Sequence, residues 1–259
     1  MTEPFRFVIA GRGRWATRMK GILAAEGRGI ALLEETRRGL SEDPAAYHSR
    51  LQSAFSSSGA HIAWLCVPPG SHIPVMMQAA IEAGLHVVVE KPWLCSAEET
   101  RRLQEISSAK KLLLAIHYEY CLLEQVENWR QERHPGKGLR FGGRMRIERP
   151  DHIGLSALDN LGSHLFAIHE YSVADSVIEE MDCAYEQSDQ RLVWLAKENT
   201  RIEEIDLLAN KEPIIQRFIA CVEAAVLGTE FPFGLDFALR VADSVALWRR
   251  SQSLRPNER

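Results

Sequence analysis

Two short stretches of this chain hold residue types and spacings that can do chemistry. The first is Gly11-Arg12-Gly13-Arg14-Trp15-Ala16. An apolar run, Phe5 to Ala10, precedes it, and Met19, Ile22 and Leu23 follow at helical spacing. Glycine, glycine and alanine at these offsets, after a strand and opening a helix, match the dinucleotide-binding fingerprint. Gly11 permits the tight turn, Gly13 lets the backbone approach a pyrophosphate, and Ala16 keeps the helix close to the strand. The helix start favours an anion. Arg12 and Arg14 can add phosphate contacts, and Trp15 counts with them as part of the cofactor-binding turn. The bland alternative is an incidental glycine turn with solvated arginines.

The second stretch is Glu90-Lys91-Pro92, directly after the apolar run Leu85 to Val89. In open α/β sheets, ligands bind beyond the carboxyl ends of the strands. A lysine there is a candidate acid or base. A surface lysine paired with Glu90 is the bland alternative.

The elements that must position these residues are legible around them. Ala63 to Trp93 reads as strand, turn, helix, strand: Ala63 to Val67 is apolar, Pro68-Pro69-Gly70 stops it, Ile73 to Ala83 has helical spacing, and Gly84 ends the helix. A right-handed βαβ unit in a parallel sheet follows. Pro68 and His72, at its turn, are placed near the cofactor. Ile30 to Leu33 is the second strand, and its end chooses the cofactor. An acidic residue there binds the ribose hydroxyls of NAD, whereas a nearby arginine accommodates the 2′-phosphate of NADP. The chain reads Glu34-Glu35-Thr36-Arg37-Arg38, so both signals are present. NADP is favoured, with Thr36 and Arg37 as its ligands, because arginine suits phosphate. Helices are predicted from Pro44 to Phe55 and from Ser96 to about Ala109, the latter with Glu98 and Glu99 in its first turn. Lys111 to His117 is a further strand, and His117, Tyr118 and Tyr120 at its end are candidate cleft residues. Strand and helix alternate strictly up to Ile116, the doubly wound pattern.

Beyond that point the texture changes. Leu122 to Arg133 reads as a helix, His134 to Gly138 as a loop and Leu139 to Glu148 as an alternating strand. Asp159 to Tyr171 reads as a helix. Cys183 to Glu186 and Arg191 to Ala196 are expected to form a hairpin around Ser188-Asp189-Gln190. Glu203 to Leu208 is a strand or a helix lead-in, and Pro213 to Leu227 and Gly234 to Ser251 are amphipathic helices. The reading is α/β in two domains. Residues 1–118 form a Rossmann dinucleotide-binding domain with a doubly wound parallel sheet. Residues 119–259 form an α+β domain for substrate and oligomer contacts, with a mostly antiparallel, meandering sheet.

Composition narrows the class. A net charge of −4 gives no reason to expect nucleic acid or anionic membrane as a partner. The five cysteines are scattered without a CxxC pair, which points to free thiols in a reducing, cytoplasmic setting. The N-terminal apolar run is too short for a signal peptide, and no run reaches membrane-spanning length. No His, Cys, Asp or Glu spacing argues for a metal. His152 and His169 are expected to be surface or structural.

Four motifs in order then resemble one family: Ala10 to Ala16, Val67-Pro68-Pro69-Gly70-Ser71-His72, Ala83 to Pro92 (AGLHVVVEKP) and Leu161-Gly162-Ser163-His164-Leu165. They are similar to the glucose–fructose oxidoreductase and inositol dehydrogenase family, often called Gfo/Idh/MocA. The resemblance implies an N-terminal Rossmann domain and a C-terminal domain on a largely antiparallel sheet that covers the nicotinamide. It implies NAD(P)-dependent oxidation of an alcohol on a sugar, cyclitol or diol, or reduction of the matching carbonyl. By the same resemblance Lys91 and His164 are catalytic, Glu90 and Pro92 shape the turn near the nicotinamide, and a homodimer or tetramer is expected. Two departures stand out. The family's sugar dehydrogenases usually carry an aspartate four residues before the histidine, where this chain has Asn160; Asp159 is adjacent but about 100° around a regular helix. The chain is also shorter than typical members. Both Asn160 and Asp159 remain candidate substrate contacts.

The chemistry implied is hydride transfer at the nicotinamide with a proton moved beside it. Burial next to an oxidised nicotinamide is expected to lower the Lys91 pKa, and His164 is expected to share or relay the proton. The two rival readings are a non-catalytic NAD(P)-binding sensor or partner subunit, and an NADPH-dependent reductase of an imine or other non-sugar substrate.

Overall fold

A computed structural model describes residues 4–39, 41–132, 138–148, 154–197, 200–209 and 213–253. His152 and residues 134–137 of the expected loop lie outside these. The chain forms two compact units: Met1–His117 with Ile219–Leu235, and Tyr118–Phe218 with Asp236–Arg259.

The first unit is built on five parallel strands, β1 (Arg6–Ala10), β2 (Gly29–Leu33), β3 (Ile62–Leu65), β4 (His86–Glu90) and β5 (Leu114–His117), in the order β2-β1-β3-β4-β5. The central strands are apolar at nearly every position because helices cover both faces. All of β3 and β5 is buried. The chain leaves β1 for β2 on one side and returns to β3 on the other, so the switch point of the sheet lies between β1 and β3, where the glycine turn sits. Four helices connect the strands: α1 (Arg14–Ala25), α2 (Pro44–Ser57), α3 (Ile73–Glu82) and α4 (Ala97–Ala109). Their ends follow from local chemistry. Asp43 caps α2 ahead of Pro44, Gly84 with φ +83° follows the end of α3, and Ser96 and Glu99 form a reciprocal capping box on α4. The returning segment Ile219–Leu235 is tied in twice. Arg28 donates to both carboxylate oxygens of Glu223, at 2.6 and 2.8 Å. The Ile116 amide of edge strand β5 donates to the Phe233 carbonyl at 2.9 Å.

The second unit holds β6 (Leu139–Ile147), β7 (Val177–Tyr185), β8 (Gln190–Lys197) and β9 (Thr200–Asp206), in the order β7-β6-β8-β9. This corrects the expected hairpin: β7 and β8 are consecutive in sequence but both pair with β6, β7 in parallel and β8 antiparallel. The sheet is mixed, not a meander. Opposite charges line the β6–β7 pairing. Arg144 lies opposite Asp182 in the β6–β7 register and donates to it at 2.9 Å, and Arg146 also binds Asp182. Glu203 to Leu208 resolves mainly into β9. The helices of this unit are α5 (Glu124–Glu132), α6 (Ser163–Ser172) and α8 (Leu235–Ser253), with a 3₁₀ turn at Glu119–Leu122, while α7 (Ile214–Val226) starts here and from Ile219 on belongs to the first unit. The expected helix from Asp159 is not regular: a π-helical turn, Leu158–Gly162, precedes α6. Ser163 to His169 are buried on every side of α6, so this helix is part of the core. Among the described residues no helix is long and apolar enough to cross a membrane.

Candidate active site

Backbone geometry builds the first part of the site. Gly11 has φ +135°, and a Cβ there would stand 2.4 Å from the carbonyl oxygen of Cys66. Only glycine fits between β1 and β3. Gly13 differs: a Cβ there would meet nothing within 4 Å, so its backbone faces open space. Gly13 is also the N-cap of α1, no side chain caps it, and the first turn carries no acidic residue. Such a helix start presents backbone N–H groups and a positive dipole end to an anion. Arg12 and Arg14 are exposed beside it, and Ala16 is buried against the sheet. These residues fit the pyrophosphate of a dinucleotide.

The end of β2 is held by Arg50. Its guanidinium donates to the carbonyls of Glu35 (2.7 Å) and Arg37 (3.1 Å) and to the Glu42 carboxylate (2.8 Å). Thr36 is buried, and its carbonyl accepts from the Tyr47 hydroxyl at 2.8 Å. Glu34, Glu35, Arg37 and Arg38 are exposed. Burial lowers the pKa of His72, and the charge of Arg37 adds to this against a hydrogen bond with Pro68.

The third part gathers residues from three strands and a helix. The Glu90 carboxylate, at the end of β4, accepts from Trp15 Nε1 of α1 and from Trp64 Nε1 of β3 at 2.8 Å. His117 Nδ1, at the end of β5, is 3.2 Å from both carboxylate oxygens. The register of β4 and β5 sets Glu90 directly beside His117. The His117 ring lies between the two indoles, 5.6 Å from Trp15 and 5.2 Å from Trp64. Burial pushes the Glu90 carboxyl up, but the attraction of His117 and the hydrogen bonds from His117, Trp64 and Trp15 outweigh it and hold the pKa below the usual range. Glu90 is therefore engaged by protein donors, while Lys91 beside it is half-buried. The peptide bond from Lys91 to the buried Pro92 is cis. A small indentation lined by Pro69, Gly70, Glu90, Pro92 and Trp93 lies here.

In the second unit, His164 stands in the first turn of α6 and is 7% exposed. The Tyr120 ring meets its imidazole edge-on at 4.9 Å. The Tyr120 hydroxyl accepts from Arg191 at 2.7 Å, and Asp189 holds that guanidinium at 2.8 Å. Asn160 is buried in the π turn, and its amide donates to the Tyr185 hydroxyl of β7 at 3.2 Å. Asp159 accepts from Arg249 and from the Ser156 hydroxyl. Tyr118 is core, edge-on to Phe237.

The first unit thus gathers Gly11 to Ala16, Glu90 to Pro92 and His117 around its sheet ends, while His164, Asn160 and Asp159 belong to the second. Trp64 and Arg191 are additions. Trp64 had one available signal: an indole N–H inside a wholly apolar strand needs a partner.

Residues 5–118 match the family model GFO_IDH_MocA, described as an oxidoreductase family with an NAD-binding Rossmann fold. An uncharacterised oxidoreductase of Schizosaccharomyces pombe is 25% identical over 126 residues, 37% of this chain, and the match spans about a third (34%) of that protein's length. Among solved structures, UDP-N-acetylglucosamine 3-dehydrogenase of Acidithiobacillus ferrooxidans superposes with a TM-score of 0.77 at 15% identity, covering 96% of this chain and 98% of that one. The WlbA dehydrogenase of Thermus thermophilus, in complex with NAD and alpha-ketoglutarate, gives a TM-score of 0.73 at 15% identity, covering 95% and 94%. At these identities the superpositions establish the fold.

Proposed function

We propose that this chain, which belongs over residues 5–118 to the NAD-binding Rossmann fold of the Gfo/Idh/MocA oxidoreductase family, is an NAD(P)-dependent oxidoreductase of a small alcohol or carbonyl substrate of sugar, cyclitol or diol type. The observation that carries this reading is the start of α1: a glycine turn open at Gly13, uncapped and free of acidic side chains, with Arg12 and Arg14 beside it. The dinucleotide supplies a hydride acceptor or donor when bound. Gly13 and the first turn of α1 bind its pyrophosphate. NADP is favoured, because Arg37 is exposed at the end of β2 and Arg50 fixes the backbone that carries it. Lys91 moves the proton at the substrate oxygen, and His164 contacts that oxygen or relays the proton. The first unit serves as the cofactor domain and the second as the substrate and oligomer domain. UDP-N-acetylglucosamine, the substrate of one structural neighbour, supports a sugar derivative as the class to screen first.

The test begins with binding. NADPH and NADH are titrated calorimetrically against the native protein and Arg37→Ala. Loss of one charge-assisted phosphate contact is expected to weaken NADPH about tenfold and NADH less than twofold. Equal weakening of both overturns the phosphate assignment. A panel of UDP-sugars, inositols and diols then follows NAD(P)H absorbance. Lys91→Ala is expected to keep dinucleotide affinity and lose turnover by at least a hundredfold; unchanged turnover removes Lys91 from the mechanism.

One observation favours the reductase alternative. Asn160 is turned to Tyr185 and Asp159 is tied to Arg249, so neither residue stands as an uncommitted carboxylate for His164. Turnover of an imine with NADPH, without polyol oxidation, would select that reading.

A further inference from the structure

We propose that Glu90 is a coupling residue that ties the dinucleotide-binding turn, through Trp15, to the strand end carrying Lys91, so that filling the turn sets the position of the lysine. The proposal rests on the reading of Gly11 to Ala16 as the dinucleotide turn. Trp15 is the second residue of α1, immediately after the anion-binding end of that helix. Its Nε1 donates to Glu90 Oε1, the oxygen that also accepts from Trp64. Trp64 and His117 belong to the sheet itself, flanking Glu90 on β3 and β5. Of the three donors described on this carboxylate, Trp15 alone comes from the helix that an anion would touch.

The indole is not a loose side chain. Arg18 covers it at 5.3 Å and the His117 ring lies 5.6 Å away. A displacement of the first turn of α1 must therefore move the indole as a body. The bond it carries is charge-assisted and partly buried, which makes it stronger than an exposed neutral one and able to transmit that displacement. Lys91 is the next residue along the chain, with the carboxylate anchored before it and Pro92 buried after it. The anchored Glu90 fixes the backbone from which the Lys91 side chain departs, which makes Glu90 and Trp15 positioning residues.

The experiment uses ADP-ribose, which fills the adenosine and pyrophosphate positions and has no nicotinamide ring to shield Lys91. Labelling of Lys91 by trinitrobenzenesulfonate is followed by peptide mass spectrometry, with and without ADP-ribose at saturation. Each variant is saturated according to its own calorimetric affinity. In the native protein ADP-ribose is expected to change the labelling rate at least threefold. Trp15→Phe, which keeps a ring and loses the donor, is expected to show no change on saturation. Trp64→Phe removes a donor from the same oxygen but not from the turn, and is expected to keep the response. Circular dichroism checks each fold; if Trp15→Phe does not fold, Trp15→Met decides by the same comparison. An equal response in native and Trp15 variants overturns the coupling, as does equal loss in Trp64→Phe, or a native protein that binds ADP-ribose with no change at Lys91. A native protein that binds neither ADP-ribose, NADH nor NADPH overturns the dinucleotide reading, and the coupling with it.

Discussion

At the scale of single residues, the candidate site depends on positions where one atom decides. Gly11 is the clearest. Its φ of +135° and the 2.4 Å approach of the Cys66 carbonyl leave no room for a methyl group. Gly11→Ala is expected to cost about 2 kcal/mol or more in urea unfolding, from a strained backbone together with a forced separation of β1 and β3. A loss under about 0.5 kcal/mol would show that the turn relaxes freely. This role was legible in the sequence, because glycine spacing after a strand states a backbone requirement. So was the placing of Lys91 at a strand end. The company kept by Glu90 was not legible. It depends on the register that sets Glu90 beside His117 and on the rotamers of two tryptophans, neither of which a local pattern encodes. The directions in which Asp159 and Asn160 project were not legible either. Angular spacing assumes 3.6 residues per turn, and the π turn at Leu158–Gly162 breaks that count.

At the scale of elements, the connection between β2 and α2 is what would read the ribose, and one ion pair closes it. The hydrogen bond from Arg50, with that from the Gly39 amide, lowers the Glu42 pKa from the ordinary 4.5 to about 2. A carboxylate with a depressed folded pKa contributes stability that is present above its unfolded value and lost as the pH falls through the folded one. The stability difference between native protein and Glu42→Gln, measured by urea unfolding, is therefore expected to be constant above about pH 5 and to shrink toward zero near pH 2. A difference independent of pH would mean that Glu42 acts by shape alone. Two helix ends were read well from the sequence: Ser96 caps α4 and Gly84 follows the end of α3, as their types suggest. The sheet of the second unit was read less well. Short apolar runs separated by Ser188-Asp189-Gln190 look like a hairpin, yet the acidic strand β7 pairs with the other edge of β6. Strand pairing is a non-local choice, and here cross-strand ion pairs accompany it.

At the scale of the whole molecule, the first unit is not one continuous piece of chain. Ile219–Leu235 completes it, by the paired contacts of Glu223 with Arg28 and by the Phe233 carbonyl that accepts from the edge of β5. No sequence signal marks this return, since the segment reads simply as the end of one amphipathic helix and the loop before another. A fragment of residues 1–118 leaves the β5 edge uncovered and is expected to aggregate or to unfold without a cooperative transition, as judged by size-exclusion chromatography and urea titration. A monomeric fragment that unfolds with the midpoint of the full chain would show the return segment to be dispensable. The same feature bears on the order in which the protein is made. The glycine turn and all five strands of the first sheet leave the ribosome early, but the segment that finishes their unit follows more than a hundred residues later. At roughly 5–20 residues per second that is a delay on the order of ten seconds. During that interval the nascent sheet has an open edge, and the growing second half of the chain, not the first, sets when the dinucleotide-binding unit can close.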